Sequence, residues 1–163
     1  MALSPVSQVS YTGCFIACVA MLLKTDYRGA FGLLHPGKDM DRMYSHGFSD
    51  IDMEGVAHKL LRGLGFKTHT GKYKKFRSYQ ERMKKNTIMI IRWKRSPTMC
   101  HCVLFDHEGK RFIDPSGGYI VDSEYELRNL QRQLAYPIVI DKIPNLEIKR
   151  DLYRDADPLG LAW

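Results

Sequence analysis

The chain has 163 residues, 44% of them hydrophobic and 26% charged, the balance of one soluble globular domain with enough length for a buried core. No apolar run reaches the roughly 18 to 20 residues that a membrane-spanning helix needs, and Met1-Ala2-Leu3-Ser4-Pro5 lacks the basic and apolar regions of a secretion signal, so a cytoplasmic setting without membrane contact is expected. The net charge of +7 is confined to one stretch, because eight basic residues from Lys67 to Lys85 stand against the single acid Glu81.

Residues 1–13 carry Pro5 and Gly13, show no periodicity and read as an ordered lead-in loop. Thr12 is the expected N-cap of a helix running from Cys14 to about Lys24, whose nearly continuous apolar content predicts burial on most sides. Residues 25–50 read as loops with a short helix near Met40–Tyr44. A second helix is expected after a cap at Ser49 or Asp50, closed by Gly63 to Gly65, with a short strand from Phe66 to Thr70. The basic stretch is expected to be partly helical around Ser78–Lys85. Strands follow at Thr87–Trp93, which is apolar enough to be central, at Cys100–Phe105 and at Lys110–Asp114. Asp106–Gly109 reads as the turn between the last two, and Pro115–Gly118 ends the third. A helix over Ser123–Gln133 and a strand over Tyr136–Asp141 complete an α+β domain spanning 1–143, followed by a tail at 144–163.

Cys14 falls in the first turn of its helix, where unpaired N–H groups and the positive end of the helix dipole favour a thiolate. Four-residue symmetry at 106–109 pairs Phe105 with Lys110 and sets His101 directly opposite Asp114, on one face of the hairpin. Cys14, His101 and Asp114 then form a set of nucleophile, base and orienting acid. The Cys14 N–H and the side-chain amide of Gln8 are candidate oxyanion donors. Each piece also has an ordinary reading: Cys14 as a small core residue, His101 and Asp114 as a structural pair. Cys18 reads as core, and Cys100 and Cys102 alternate with His101, so they are expected on the opposite face, again as core.

Gln8, Cys14 six residues later, Cys18 and the apolar Ala20-Met21-Leu22-Leu23 resemble the N-terminal motif of the bacteriocin-processing double-glycine peptidases. His101-Cys102-Val103-Leu104-Phe105 resembles that family's histidine strand, Phe112-Ile113-Asp114-Pro115-Ser116-Gly117-Gly118 its Asp-Pro strand end, and Leu60–Phe66 its helix end, so the likeness covers roughly residues 5–140. The resemblance implies a papain-like cysteine peptidase fold: an N-terminal helical part with the nucleophile at a helix start, then an antiparallel sheet carrying His101 and Asp114. It implies Cys14 as nucleophile, Gln8 in the oxyanion hole, a peptide or protein substrate and a stand-alone bacterial or phage enzyme without exporter domains. The family usually has Asp before and Gly after the nucleophile; Gly13 and bulky Phe15 stand here, which points to an altered cleft and a target other than a double-glycine leader.

Three other readings compete. A catalytically silent module would bind an acidic partner through the 67–85 face, although it would have no chemical need for Cys14, His101, Asp114 and Gln8 together. Zinc held by Cys14, Cys18, Cys100, His101 and Cys102 would need four convergent ligands, which adjacent strand residues on opposite faces do not supply, so neither a metal nor another cofactor is expected. Nucleic-acid binding by the basic stretch is the less favoured partner reading beside an acidic protein, and a merely solvated face is the plainest one.

Overall fold

The computed structural model describes residues 2–9, 13–38, 53–92 and 100–146. The expected Thr12 cap, the short helix near Met40–Tyr44, the caps at Ser49 or Asp50 and the tail from 147 onward lie outside these residues. Helix α1 (Cys14–Leu23) is where the apolar run predicts it, and Cys14 through Leu22 are all buried. Its N-cap position falls on Gly13, which offers no side-chain cap, and it ends at Lys24 in the left-handed region. Helix α2 (Tyr27–Leu34), which the sequence reading took for loop, starts at Asp26, whose carboxylate accepts the Gly29 N–H at 2.7 Å. Helix α3 (Met53–Gly63) closes as expected, with Gly65 at φ +94.

Seven strands among the described residues form one antiparallel sheet: β1 (Lys67–Thr70), β2 (Lys74–Lys75), β3 (Thr87–Arg92), β4 (Cys100–Asp106), β5 (Arg111–Asp114), β6 (Tyr119–Val121) and β7 (Leu134–Lys142). Their order is β1-β7-β3-β4-β5-β6, with β2 also on β7. The molecule is thus mixed helix and antiparallel sheet, the α+β class expected. Strand β3 is central, between β7 and β4, and both of its faces are covered. Ile88 and Ile90 join the core formed with α1, α2 and α3; Met89 and Ile91 join a second core on the other face. Burial on both faces is why this strand reads as a continuous apolar run rather than an alternating one.

The second core is capped by α4 (Phe76–Gln80) and α5 (Glu124–Gln131), through Phe76 and Leu130. The helix expected at Ser78–Lys85 therefore begins earlier and is five residues long, set by fully buried Phe76. Strand β6, not foreseen, continues from the turn after Asp114.

The β4–β5 hairpin differs from expectation. Asp106 belongs to β4 and pairs with Arg111, and Phe105 pairs with Phe112, so the connection is His107–Lys110 with Lys110 at φ +53. Asp106 is held in the strand because its fully buried carboxylate accepts the Leu3 N–H at 3.1 Å, the Gly109 N–H at 3.2 Å and Arg111 Nε at 3.1 Å. The register consequently moves by two residues, and His101 is not directly opposite Asp114.

Candidate active site

The site is built where two strands part. The β4–β5 ladder runs only from Asp106–Arg111 to Leu104–Ile113. Beyond it, the Cys102 N–H donates to Cys14 Sγ at 3.4 Å, and the Pro115 carbonyl accepts the Gln8 N–H at 2.8 Å. The lead-in segment and the start of α1 thus fill the opening between the strand ends. Gly118 permits this approach: it lies at φ +60, and a Cβ there would come within 3.0 Å of the Ser7 nitrogen. Gln8 is held beside the Asp-Pro strand end, half-buried, with its side-chain oxygen sealed from solvent.

His101 and Asp114 meet despite the shifted register. A slip of two residues leaves a side chain on the same face of a strand, and diagonal neighbours remain within reach of long side chains. His101 Nε2 lies 2.7 Å from Asp114 Oδ1, with both side chains largely buried. Asp114 is itself positioned by the Ser116 N–H at 2.9 Å and the Tyr119 hydroxyl at 3.5 Å. With Nε2 on the carboxylate, Nδ1 is left for the thiol, and the charges of His101 and Cys14 act on each other. Strand alternation places His101 with Val103 on the face away from α1. It meets Cys14 because the sulfur takes a main-chain N–H at the edge of β4, close to the plane of the sheet, where both faces are within reach.

The electrostatics favour an ion pair. A hydrogen bond from Cys102 lowers the Cys14 thiol most; burial opposes this, and the His101 hydrogen bond and charge lower it further, leaving it well below the ordinary thiol value. Burial works to lower His101, but the hydrogen bonds to Asp114 and Cys14 and their charges raise it to about 10. Burial raises Asp114, yet its bond to His101 leaves it below the usual carboxylate value. Cys14 thiolate and His101 imidazolium therefore coexist over a broad range that ends near pH 10, where His101 loses its proton.

Cys102, expected only as core, does more than fill space. It is fully buried and on the α1 face, as alternation predicts, but it also supplies a main-chain N–H and a thiol to Cys14. Its own thiol is pushed well up by Cys14 first and burial second, so it stays protonated and donates. The available signal was its place next to His101 near the open end of β4. Cys102→Ala keeps the N–H and removes the thiol donor, so the rise of Cys14 alkylation with pH, read by intact mass, should move to higher pH; an unchanged profile would show that the thiol does not act on Cys14. Cys18 is core, as expected, and burial pushes its thiol up. Phe15 is fully buried in the core and does not face a cleft, which corrects the expectation that it reshapes one.

Among the described residues no three His, Cys, Asp or Glu side chains converge as a metal ion would require. No helix of the described residues is long and apolar enough to cross a membrane. Compared with models of known protein families and with curated protein sequences, the chain matches none.

Proposed function

We propose that this chain is a papain-like thiol hydrolase acting on a peptide or protein substrate. The observation that carries the reading is His101 bonded to Asp114 at 2.7 Å, with its other ring nitrogen left for Cys14, a buried thiol at a helix start that is held well below its ordinary value. A structural core cysteine needs neither a base nor an orienting acid. The resemblance in motif order to double-glycine peptidases adds support, and buried Phe15 removes one reason to expect a different cleft.

In this mechanism the Cys14 thiolate adds to the acyl carbon, and the carbonyl oxygen takes up the negative charge. The Cys14 N–H and the Gln8 side-chain amide hold that oxyanion. Collapse expels the amine, which leaves with the proton of the His101 imidazolium. Neutral His101 then takes a proton from water as it attacks the thioester, which releases the acid and restores Cys14. Asp114 keeps the ring oriented and stabilises its charged form. The same set serves isopeptidases, amidases and acyl transferases, so the nature of the acceptor and leaving group follows from the substrate.

The test is cleavage of a peptide library with mapped product ends. The wild type should produce cuts that Cys14→Ala does not; identical product maps for the two would overturn the reading. Gln8→Ala should lower kcat by about 10²–10³ while leaving the pH profile of Cys14 alkylation unchanged, because an oxyanion donor acts only on the charge formed during reaction.

A further inference from the structure

A second site lies where the β2–α4 junction meets the end of α5. Lys75, Arg77, Arg128, Gln131 and Arg132 line a pocket of about 560 Å³. That volume is within the range of about 300–1,000 Å³ usual for small-molecule sites. Four of the five lining residues are cationic and none is acidic. Two of the four cations, Lys75 and Arg77, belong to the basic 67–85 stretch; the other two, Arg128 and the C-cap residue Arg132, come from the end of α5.

The pocket is held by a fixed backbone. The Phe76 N–H donates to the Gln133 carbonyl at 3.0 Å, and Gln131 Nε2 donates to Gln80 Oε1 at 2.7 Å, which ties α4 to the end of α5. Lys74 and Lys75 pair with β7. Arg128 has an ion pair with Glu124 at 3.4 Å, but both side chains are well exposed, so the pair is weak and easily exchanged for an incoming anion. Crowding four like charges into one concavity is unfavourable without a counter-charge, and guanidinium forks match phosphate oxygens two at a time.

An independent feature points to more than a bare anion. Tyr125 is 82% exposed, an unusual state for a large aromatic side chain. It precedes Arg128 by three residues and Arg132 by seven, the spacing of one helix face. Tyr125 is outside the pocket lining, but its place one turn before Arg128 on that helix face sets an aromatic ring at the rim of a cationic concavity, the arrangement that stacks a base while its phosphates are held. One aromatic ring beside one open, cationic concavity suits a single nucleotide better than a strand, which would need a repeated platform along an extended groove.

We propose that this pocket binds a nucleoside triphosphate, with its phosphates on Lys75, Arg77, Arg128 and Arg132 and its base against Tyr125. The site shares no residue with the thiol chemistry: Gln8, Cys14, His101, Cys102 and Asp114 all lie outside its lining.

The test is calorimetric titration of the full chain with ATP, inorganic tripolyphosphate and a single-stranded oligonucleotide at one fixed salt concentration. ATP should bind saturably, at least tenfold more weakly in Arg128→Glu/Arg132→Glu and several-fold more weakly in Tyr125→Ala. Tripolyphosphate should bind more weakly than ATP and be indifferent to Tyr125→Ala. The exposed pair Lys59→Glu/Arg62→Glu on α3 makes the same charge change elsewhere and should leave ATP binding intact, as should Cys14→Ala. Absence of saturable ATP binding at millimolar concentration, equal loss in both double variants, or no effect of Tyr125→Ala on ATP would overturn the proposal. So would an oligonucleotide that binds a hundredfold more tightly than ATP, which would assign the surface to nucleic acid.

Discussion

Under the proposed thiol-hydrolase mechanism, Cys14→Ala and His101→Ala should each reduce substrate hydrolysis by about 10⁴-fold or more, and the double variant should be no slower than either single one. The non-additivity follows from the roles proposed for the two residues. In that mechanism Cys14 would supply the bond-forming sulfur, and its acidity depends on Cys102 and His101. His101 would carry the proton, and it is held charged by Asp114 and by Cys14. Removing either residue removes the purpose of the other, so the second loss costs nothing further. Rates for the four proteins on one cleaved library peptide check this. Losses that multiply would mean that the two residues act separately and that no shared proton joins them.

Asp106→Ala unfolds the protein more readily, by about 3 kcal/mol, the scale for removing one partner of a buried charged pair. For a domain of this size that is a drop of roughly 6 to 12 °C in melting temperature. The carboxylate is fully buried and takes the Leu3 N–H, the Gly109 N–H and Arg111 Nε, so its loss strands three donors. Arg111 also donates to the Leu3 carbonyl at 2.6 Å, so the lead-in segment is fastened at two points. Asp106→Asn keeps an acceptor for the two N–H groups and should lose about half as much. Thermal unfolding followed by circular dichroism measures both. An Asp106→Ala protein as stable as the wild type would mean that the lead-in is anchored elsewhere.

How far the site was legible depended on which physical rule governed each residue. The start of α1 and the central place of β3 followed from uninterrupted apolar runs, which burial on all sides demands. His101 and Asp114 were placed on one face because strand alternation survives a two-residue slip, even though the pairing itself was misjudged. That misjudgement came from Asp106, whose residue type signals a turn. Its real role depends on Leu3, more than a hundred residues earlier, a contact that no local pattern records. Helix α2 was hidden by Gly29 and Gly32, although Asp26 was a readable cap. Cys102 was assigned correctly to a face and wrongly to a passive role, because alternation describes side chains and its contact with Cys14 begins with a main-chain N–H. The basic pocket needs α4 and α5 brought together by Phe76 and Leu130 across the second core, so charge counting along the chain could find only half of it.

The most direct test of the account is the rate of Cys14 alkylation by iodoacetamide against pH, in the wild type and in His101→Ala, with the modified site located by mass. An activated thiolate should react on a plateau that begins well below the free-thiol pKa of about 8.5 and extends toward the loss of the His101 proton near pH 10. In His101→Ala the rise should move to higher pH, because the Cys102 hydrogen bond remains while the His101 charge is lost. A wild-type profile that rises only near the free-thiol value, unchanged in His101→Ala, would contradict the account and leave Cys14 a core cysteine.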